Sequence, residues 1–200
     1  GKSNLLAVLI NQIRELSTET HYPVNFLLFD YKGEFSDPEH ELWLQLFNTN
    51  HKAILNPIER PLPFTPFKDF AGKPINEVNL YATELSSALG SISRTSISAN
   101  MDSRLSTAIV NAYKNKKLRP VTFSEILESY RSLLPDKQQD KDDSITSVLT
   151  QLVNNHIFED EDKVDLLNNS YIINLGRFPK DGAMAKAIVY FVVSKLNNIY

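Results

Sequence analysis

Residues 1–16 read GKSNLLAVLINQIREL, and the apolar stretch VNFLLFD follows at residues 24–30. Gly-Lys-Ser is the second half of the phosphate-binding motif G-x-x-x-x-G-K-[ST], whose lysine reaches nucleotide phosphates and whose serine hydroxyl binds Mg²⁺. A helix followed at once by a fully apolar strand is typical of a parallel α/β sheet. The helical spacing of the apolar residues predicts a helix over residues 3–17 that buries Leu5, Leu6, Val8, Leu9, Ile13 and Leu16.

The motif predicts a nucleotide site at the start of this helix. We expect Gly1, Lys2, Ser3 and Asn4 to bind the nucleotide phosphates and Ser3 to bind Mg²⁺, with the positive end of the helix facing the same anion. The alternative is an ordinary helix start with Ser3 as its N-cap. The first half of the motif and the strand before it should precede Gly1, so we interpret the sequence as a piece of a longer protein.

The composition is that of an ordinary globular domain, and it excludes several kinds of site. The 200 residues are 42% hydrophobic, carry a net charge of −3 and contain no cysteine. Disulfides and thiolate metal sites are therefore excluded within the chain, and no overall positive charge favours nucleic acid. The four histidines show no ligand spacing. No apolar run is long enough to cross a membrane, so we expect a cytoplasmic protein without a membrane partner.

The middle of the chain differs from its two ends. Residues 1–58 and 166–200 have the strand and helix patterns of an α/β core, and the second segment combines a buried strand with a long apolar helix. Residues 59–165 read as a proline-rich loop and a series of amphipathic helices, one of which begins with a capping box of Thr122 and Glu125. The sequence therefore predicts a parallel α/β core that is interrupted by an all-helical insertion.

Two acidic residues follow the first predicted strand, at the sheet edge where α/β proteins bind ligands. Asp30 ends the strand, and Gly33 precedes Glu34 in the turn after it. We expect both acids to be catalytic, Asp30 by holding a Mg²⁺-bound water or orienting the attacking water, and Glu34 as a second acid that faces the nucleotide. Gly33 indicates a positive φ that would aim Glu34 at the site. The alternatives are that Asp30 caps the turn and that Glu34 is a solvated turn residue.

The same turn also matches a motif of another nucleotide-binding class. Asp30-Tyr31-Lys32-Gly33 has the D-x-x-G pattern of GTPases. A GTPase also needs a switch segment with a threonine before that strand and an N-K-x-D loop after it. The segment between helix and strand is too short for such a switch, and Asn115-Lys116-Lys117-Leu118 lacks the aspartate, so a GTPase is not favoured.

Two basic features of the sequence could have a function or could be ordinary exposed surface residues. Arg177 follows the last predicted strand at the same sheet edge, where it could sense phosphate or reach a neighbouring subunit, but arginines are mostly exposed surface residues. A cluster near the middle of the chain could contact a nucleic-acid backbone or form the solvated end of a helix. This cluster consists of Lys114, Lys116, Lys117 and Arg119.

The order of these pieces resembles the HerA/FtsK group of P-loop ATPases. The similarity is greatest to HerA-like translocases, whose second core strand ends in an Asp-x-x-Gly-Glu-aromatic turn that Asp30, Gly33, Glu34 and Phe35 match. The resemblance covers the two core segments, about half of the chain. The helical middle is similar in placement to the inserts of large HerA-like ATPases of defence and restriction systems, such as the one that acts in phosphorothioate-dependent DNA restriction.

The resemblance implies a RecA-like P-loop core that hydrolyses ATP with Mg²⁺ and couples hydrolysis to movement along, or loading onto, double-stranded DNA. Such ATPases act as ring hexamers, and a nuclease or other restriction subunits would be further partners. The chain departs from the family in lacking the first half of the phosphate loop and an acidic Walker B strand, which should follow residue 200. We therefore expect the fragment alone to be inactive as an ATPase.

Two alternatives belong to other classes of protein. The first is a nucleotide-gated scaffold of a multiprotein DNA-processing complex, in which the helical insertion is the working surface. The absence of a strongly basic stripe favours it slightly over a motor, and DNA-stimulated ATPase activity would separate the two. The second is a helical interaction domain in which Gly-Lys-Ser occurs by chance.

Overall fold

The chain folds into two compact units in the computed structural model. The first unit comprises residues Gly1–Leu62 and Lys163–Lys180, and the second comprises Pro63–Asp162 and Asp181–Tyr200. In the part of the chain that is described, no helix is long and apolar enough to cross a membrane. The described residues are 1–22, 24–37, 39, 41–93, 96–139 and 141–199.

The first unit is built on a parallel sheet with the strand order β1-β3-β2. Leu27 of β1 pairs with Tyr171 of β3, and Ile54 of β2 pairs with Ile172 of the same strand. Since all pairs are parallel, the carboxyl ends of the strands meet at one edge, and the predicted parallel α/β class is confirmed. The elements of this unit are α1 (Lys2–Glu19), β1 (Leu27–Asp30), α2 (Glu41–Leu46), β2 (Ile54–Leu55) and β3 (Tyr171–Asn174).

The strands are shorter than the sequence predicts. The sequence of residues 52–57 is typical of one short strand, but only β2 forms there. Asn50 caps a 3-10 turn over His51–Ala53, its side chain accepting a hydrogen bond from the Lys52 N–H at 2.9 Å. Asp37 and Pro38 in the sequence predict the start of a short helix over residues 39–47, and a helix is present there as α2. Pro38, which we expected to open it, lies outside the described residues.

The prediction that α1 buries an apolar stripe is wrong. The helix buries Ala7 and Ser17 instead, whereas the six large apolar residues of the stripe are all exposed, with 62% exposure at Leu5 and 63% at Leu16. Ala7 packs with Phe35 and Ile172 in the core of the first unit. The helix therefore meets the core through Ala7, with Ile10 packed partly buried against the same cluster, while the six residues of the predicted stripe stay exposed.

The second unit is a group of helices. Its elements are α3 (Ile75–Ile92), α4 (Ala99–Asn115), α5 (Phe123–Ser132), α6 (Ser144–Asn155) and α7 (Ala183–Ile199). Each of the helices α3 to α6 packs against the next along the chain, as short connections favour. The predicted capping box is confirmed, since Thr122 accepts from the Glu125 N–H while the Glu125 carboxylate accepts from the Thr122 N–H.

The last helix packs within the second unit, although the sequence analysis grouped it with the α/β core. It contacts α3 and α6, and its Phe191 ring lies 5.9 Å from Phe67, 5.2 Å from Phe123 and 5.7 Å from Phe158. Phe67 comes from the proline-rich segment and is buried. This aromatic cluster explains why α7 belongs to the second unit, because large rings that are buried together dominate the packing energy of a core.

Candidate functional site

The Gly-Lys-Ser motif forms the first turn of α1. Gly1 is the N-cap, its carbonyl accepts from the Leu5 N–H at 3.2 Å, and no side chain caps the helix. Ser3 is therefore not the N-cap that the alternative interpretation required. Lys2 and Asn4 are exposed, and Ser3 is partly exposed. The N–H groups of this turn and the positive end of the helix are available to an anion.

The Ser3 hydroxyl is turned toward the other predicted motif. Its Oγ donates a hydrogen bond of 2.6 Å to Oε2 of Glu34, which lies 31 positions away in the sequence. The second carboxylate oxygen, Oε1, accepts from Nζ of Lys32 at 3.3 Å. The structure thus brings Ser3 and Glu34 together at one point, which neither motif requires by itself.

Hydrogen bonding keeps the Glu34 carboxylate ionised. The bond from Ser3 is the largest cause that lowers the pKa of Glu34 below its ordinary value, and the bond from Lys32 is the next. Because both donors favour the charged form, Glu34 carries its negative charge at neutral pH. The side chain is 43% exposed, so it is accessible to an incoming ligand.

Asp30 has a different role from Glu34 in the geometry. It is 3% exposed at the end of β1, and both of its carboxylate oxygens are occupied by the turn that follows. Oδ1 accepts from the N–H groups of Lys32 at 3.3 Å and Gly33 at 2.9 Å. Oδ2 accepts from the N–H groups of Phe35 at 2.9 Å and Ser36 at 3.0 Å, and from the Ser36 hydroxyl at 2.6 Å. Asp30 therefore shapes the turn that presents Glu34.

Two glycines allow this turn to pack closely against the turn after β3. Gly33 has a φ of +74°, as its place before Glu34 suggested. A Cβ on Gly176 would lie 2.9 Å from the backbone N of Gly33 and 3.1 Å from its Cα. The Leu175 N–H also donates to the Asp30 carbonyl at 2.9 Å, which continues the pairing of β1 and β3 past the strand ends. A side chain at position 176 would push the two turns apart, whereas Gly33 is required by its positive φ.

Gly176 and Ser36 were missed by the sequence reasoning. The approach of Gly176 to Gly33 is a tertiary contact between segments more than a hundred residues apart, so no local pattern indicates it. The serine six residues after Asp30 does carry a signal, since a hydroxyl in a turn that begins with a buried carboxylate can donate back to it.

Arg177 and the basic cluster were the other residues predicted to have a function. Arg177 is exposed on the turn after β3, next to Gly176. It makes no hydrogen bond or ion pair with Ser3, Asp30 or Glu34, all of which are among the described residues. In the basic cluster, Lys116 forms an ion pair with Glu125 at 3.1 Å within the second unit. That pairing accounts for one of its four cations without a nucleic-acid ligand.

Ser3 and Glu34 are suitable Mg²⁺ ligands only if a bound phosphate supplies further ligands. A hydroxyl and a carboxylate are the oxygen ligands that Mg²⁺ prefers, and Mg²⁺ usually completes its shell with waters and substrate phosphates. Across the described ranges, no group of three or more His, Asp or Glu residues could hold a metal by itself. Ser3 and Glu34 could therefore bind the ion together with a phosphate but could not enclose it alone.

Comparison with known proteins gives one match. The model of the family described as "Helicase HerA, central domain" matches residues 1–196. The matched region contains both the Gly-Lys-Ser turn and the Asp30–Ser36 turn, and it extends through the helical second unit. No curated protein and no solved structure was found to match the chain.

Proposed function

Because the chain belongs to the family of the HerA helicase central domain, a family of P-loop ATPases, we propose that Ser3 and Glu34 form the Mg²⁺ end of its ATP site. The single observation that carries this proposal is the 2.6 Å hydrogen bond between their side chains. It brings the serine of the phosphate motif and the acid of the strand-end turn to one place. Mg²⁺ would neutralise phosphate charge there and draw oxygen ligands from both residues.

Lys2 and the first turn of α1 would hold the nucleotide phosphates. The ammonium group is exposed at the start of the helix, beside N–H groups that have no partner within the helix. Gly1 permits close approach because its Cβ position is open, with no heavy atom within 4 Å. Asn4 lies in the same turn and would border the phosphate group. These features suit an anion that is bound by backbone and lysine together.

Asp30 acts in this proposal as a positioning residue. Its five hydrogen bonds hold the turn from Lys32 to Ser36 in the conformation that points Glu34 at Ser3. The expected contact of Asp30 with a Mg²⁺-bound water stays a prediction, and the occupied carboxylate does not favour it. A role of Arg177 as a phosphate sensor also stays a prediction.

The family supports a motor that acts on double-stranded DNA as a ring of identical subunits, and we propose this assembly for the protein. Its description as a helicase domain is the support for DNA as the partner. A role in DNA restriction or antiviral defence, with a nuclease as a further subunit, rests on the resemblance of the helical insertion. The scaffold alternative is not favoured, because the family is one of ATPases.

The experiment that tests the function compares Lys2→Ala with Lys137→Ala. Both variants remove one exposed lysine, but Lys137 belongs to the second unit and is not part of the motif. We expect Lys2→Ala to abolish ATP turnover in the full-length protein, while Lys137→Ala in the same protein turns over ATP like the wild type. Undiminished turnover by Lys2→Ala would end this proposal.

A second measurement separates the motor from the scaffold. ATP turnover is recorded with and without a double-stranded DNA of several hundred base pairs. A motor coupled to DNA should show faster turnover with DNA, and the rise should be absent in Lys2→Ala. Turnover that DNA leaves unchanged would contradict the proposed coupling and would favour a nucleotide-gated scaffold.

A further inference from the structure

A polar cavity of about 310 Å³ lies in the first unit, at the edge of the sheet opposite to the Ser3–Glu34 contact. It is bordered by the starts of the strands rather than their ends, since Asn25 precedes β1, Lys52 precedes β2 and Ser170 precedes β3. Arg14, from the later turns of α1, forms part of its wall. The predicted nucleotide site does not use any of these residues.

Arg14 is held in this wall by neutral acceptors. Its Nη1 donates to the Val24 carbonyl at 2.9 Å and to the Ser170 hydroxyl at 2.8 Å, and Nη2 donates to the Asn48 carbonyl at 3.4 Å. The guanidinium also lies over the Phe26 ring, at 5.4 Å from its centroid. The buried Nε–H has no hydrogen-bond partner in the described structure. These contacts fix the orientation of the Arg14 side chain, but none of them places a negative charge next to the guanidinium.

The charge around Arg14 is uncompensated. No carboxylate within the described ranges forms an ion pair with it, and burial lowers the pKa of Arg14 without a carboxylate to oppose the effect. An arginine keeps its charge in proteins even so, and a partly buried charge without a counter-ion is unfavourable. Lys52 adds a second cation to the wall, and none of the described residues that line the cavity is acidic.

Asp165 is hydrogen-bonded to the cavity residue Asn168, but its carboxylate is occupied within its own turn. The Asp165 carboxylate accepts from the Asn168 amide at 2.5 Å and from the backbone N–H groups of Leu167 at 2.9 Å and Asn168 at 3.1 Å. These bonds lower the pKa of Asp165, so it stays charged while it serves its own turn. The cavity wall therefore presents cations, amides and hydroxyls to the solvent.

We propose that this cavity binds a phosphate-class oxyanion, either free phosphate or a phosphodiester of a nucleic-acid backbone, through Arg14 and Lys52. Nη2 of Arg14 has one N–H besides the one that it donates to the Asn48 carbonyl, and this N–H together with the guanidinium charge can bind an oxygen of such an anion. Thr49 and Asn50 border the same cavity with a hydroxyl and an amide that can donate to the remaining oxygens. The site is independent of the proposed ATP site, because it lies at the other edge of the sheet.

The free anion is tested by titrating inorganic phosphate into the Lys2→Ala variant by calorimetry, so that the ATP site does not contribute. In that background, Lys52→Ala should weaken phosphate binding about tenfold, the effect of losing one charged hydrogen bond. Lys137→Ala, in the same background, should leave the affinity unchanged. Lys52 is exposed in a short 3-10 turn, so its loss should leave the fold intact.

The nucleic-acid source is tested with a 20-base-pair duplex at several salt concentrations. If a backbone phosphate occupies the cavity, Lys52→Ala should reduce the slope of log affinity against log salt by about 0.9. Binding of phosphate without this change assigns the cavity to the free anion, and the change without phosphate binding assigns it to the backbone. If neither ligand responds to Lys52→Ala, the proposal is overturned, whatever the outcome of the Lys2→Ala test of ATP turnover.

A second variant addresses the arginine itself. Arg14→Lys keeps the charge but cannot reproduce the planar set of donors, and it should weaken the bound anion at least as much as Lys52→Ala. Because Arg14 also ties α1 to Val24 and Ser170, its variant is used only where circular dichroism shows a wild-type fold. An unchanged anion affinity in a folded Arg14→Lys variant would contradict the proposed site.

Discussion

Replacing Asp30 with asparagine should destabilise the first unit far more than the same change at Glu34. Oδ1 of Asp30 accepts two N–H donors, and Oδ2 accepts two N–H donors and a hydroxyl. An asparagine keeps only one acceptor oxygen, so its NH₂ group must face at least two of the backbone N–H donors. The site is 3% exposed, so water cannot replace the lost acceptor.

The magnitude follows from those two donors. Each buried N–H left without a partner costs about 1–3 kcal/mol, so we expect Asp30→Asn to lower the free energy of unfolding by about 2–6 kcal/mol. Glu34→Gln makes the same carboxylate-to-amide change at an exposed position and should leave the free energy of unfolding close to that of the wild type. The difference in the free energy of unfolding between the two variants separates the contribution of the buried hydrogen bonds from the effect of losing a charge.

The assay is urea unfolding followed by tryptophan fluorescence. The chain has a single tryptophan, Trp43, and its ring lies 5.1 Å from Phe35, whose N–H donates to Asp30. The signal therefore reports the turn and its surroundings in the first unit. If Asp30→Asn and Glu34→Gln unfold at the same urea concentration as the wild type, Asp30 does not hold the turn, and the assignment of its role fails.

Three further predictions concern other contacts. Gly176→Ala should destabilise the first unit by about 1–3 kcal/mol in the same unfolding assay, because the new Cβ meets backbone atoms of Gly33, and a wild-type midpoint would refute the close approach. The pKa of the Glu34 carboxylate, followed by carbon NMR, should lie below that of an ordinary glutamate and should return toward it in Ser3→Ala. Since the folded pKa is depressed, the stabilisation is complete above the unfolded pKa and is lost as the pH falls through the folded pKa. An unchanged pKa in Ser3→Ala would contradict the contact. Burial, aided by a hydrogen bond to a carboxylate, raises the pKa of Tyr130 to about 12, so its stabilisation is complete below pH 10 and is lost as the pH rises through the folded pKa. Ultraviolet titration at 295 nm should show this late ionisation, and Tyr130→Phe should remove it. An ionisation of Tyr130 near pH 10 would contradict the prediction.

The parts of the structure that the sequence predicted correctly depend on local rules. The parallel class follows from an apolar strand placed directly after a helix, and the Thr122–Glu125 box follows from capping chemistry within four residues. The meeting of the two motifs was also predictable in outline. A phosphate motif at a helix start and an acid after a strand both belong to the same edge of a parallel sheet.

The features that the sequence did not predict depend on tertiary contacts between a helix or turn and the segments packed against it. The spacing of the apolar residues in α1 describes one side of a helix, but it does not say which side the sheet covers. The small residue Ala7 makes the contact, and Leu5 and Leu16 remain exposed. The choice between two roles for Asp30 was open for a similar reason. Only the positions of the Phe35 and Ser36 N–H groups show that its carboxylate is already occupied.

The central claim is that Ser3 and Glu34 together form the Mg²⁺ end of an ATP site, and the affinity for ATP with and without Mg²⁺ tests it most directly. In the wild type, Mg²⁺ should strengthen ATP binding. In Ser3→Ala and in Glu34→Gln, we expect most of that gain to be lost, about tenfold in the affinity measured with Mg²⁺, while the affinity measured without the ion changes little. A Mg²⁺ effect of wild-type size in both variants would contradict the claim.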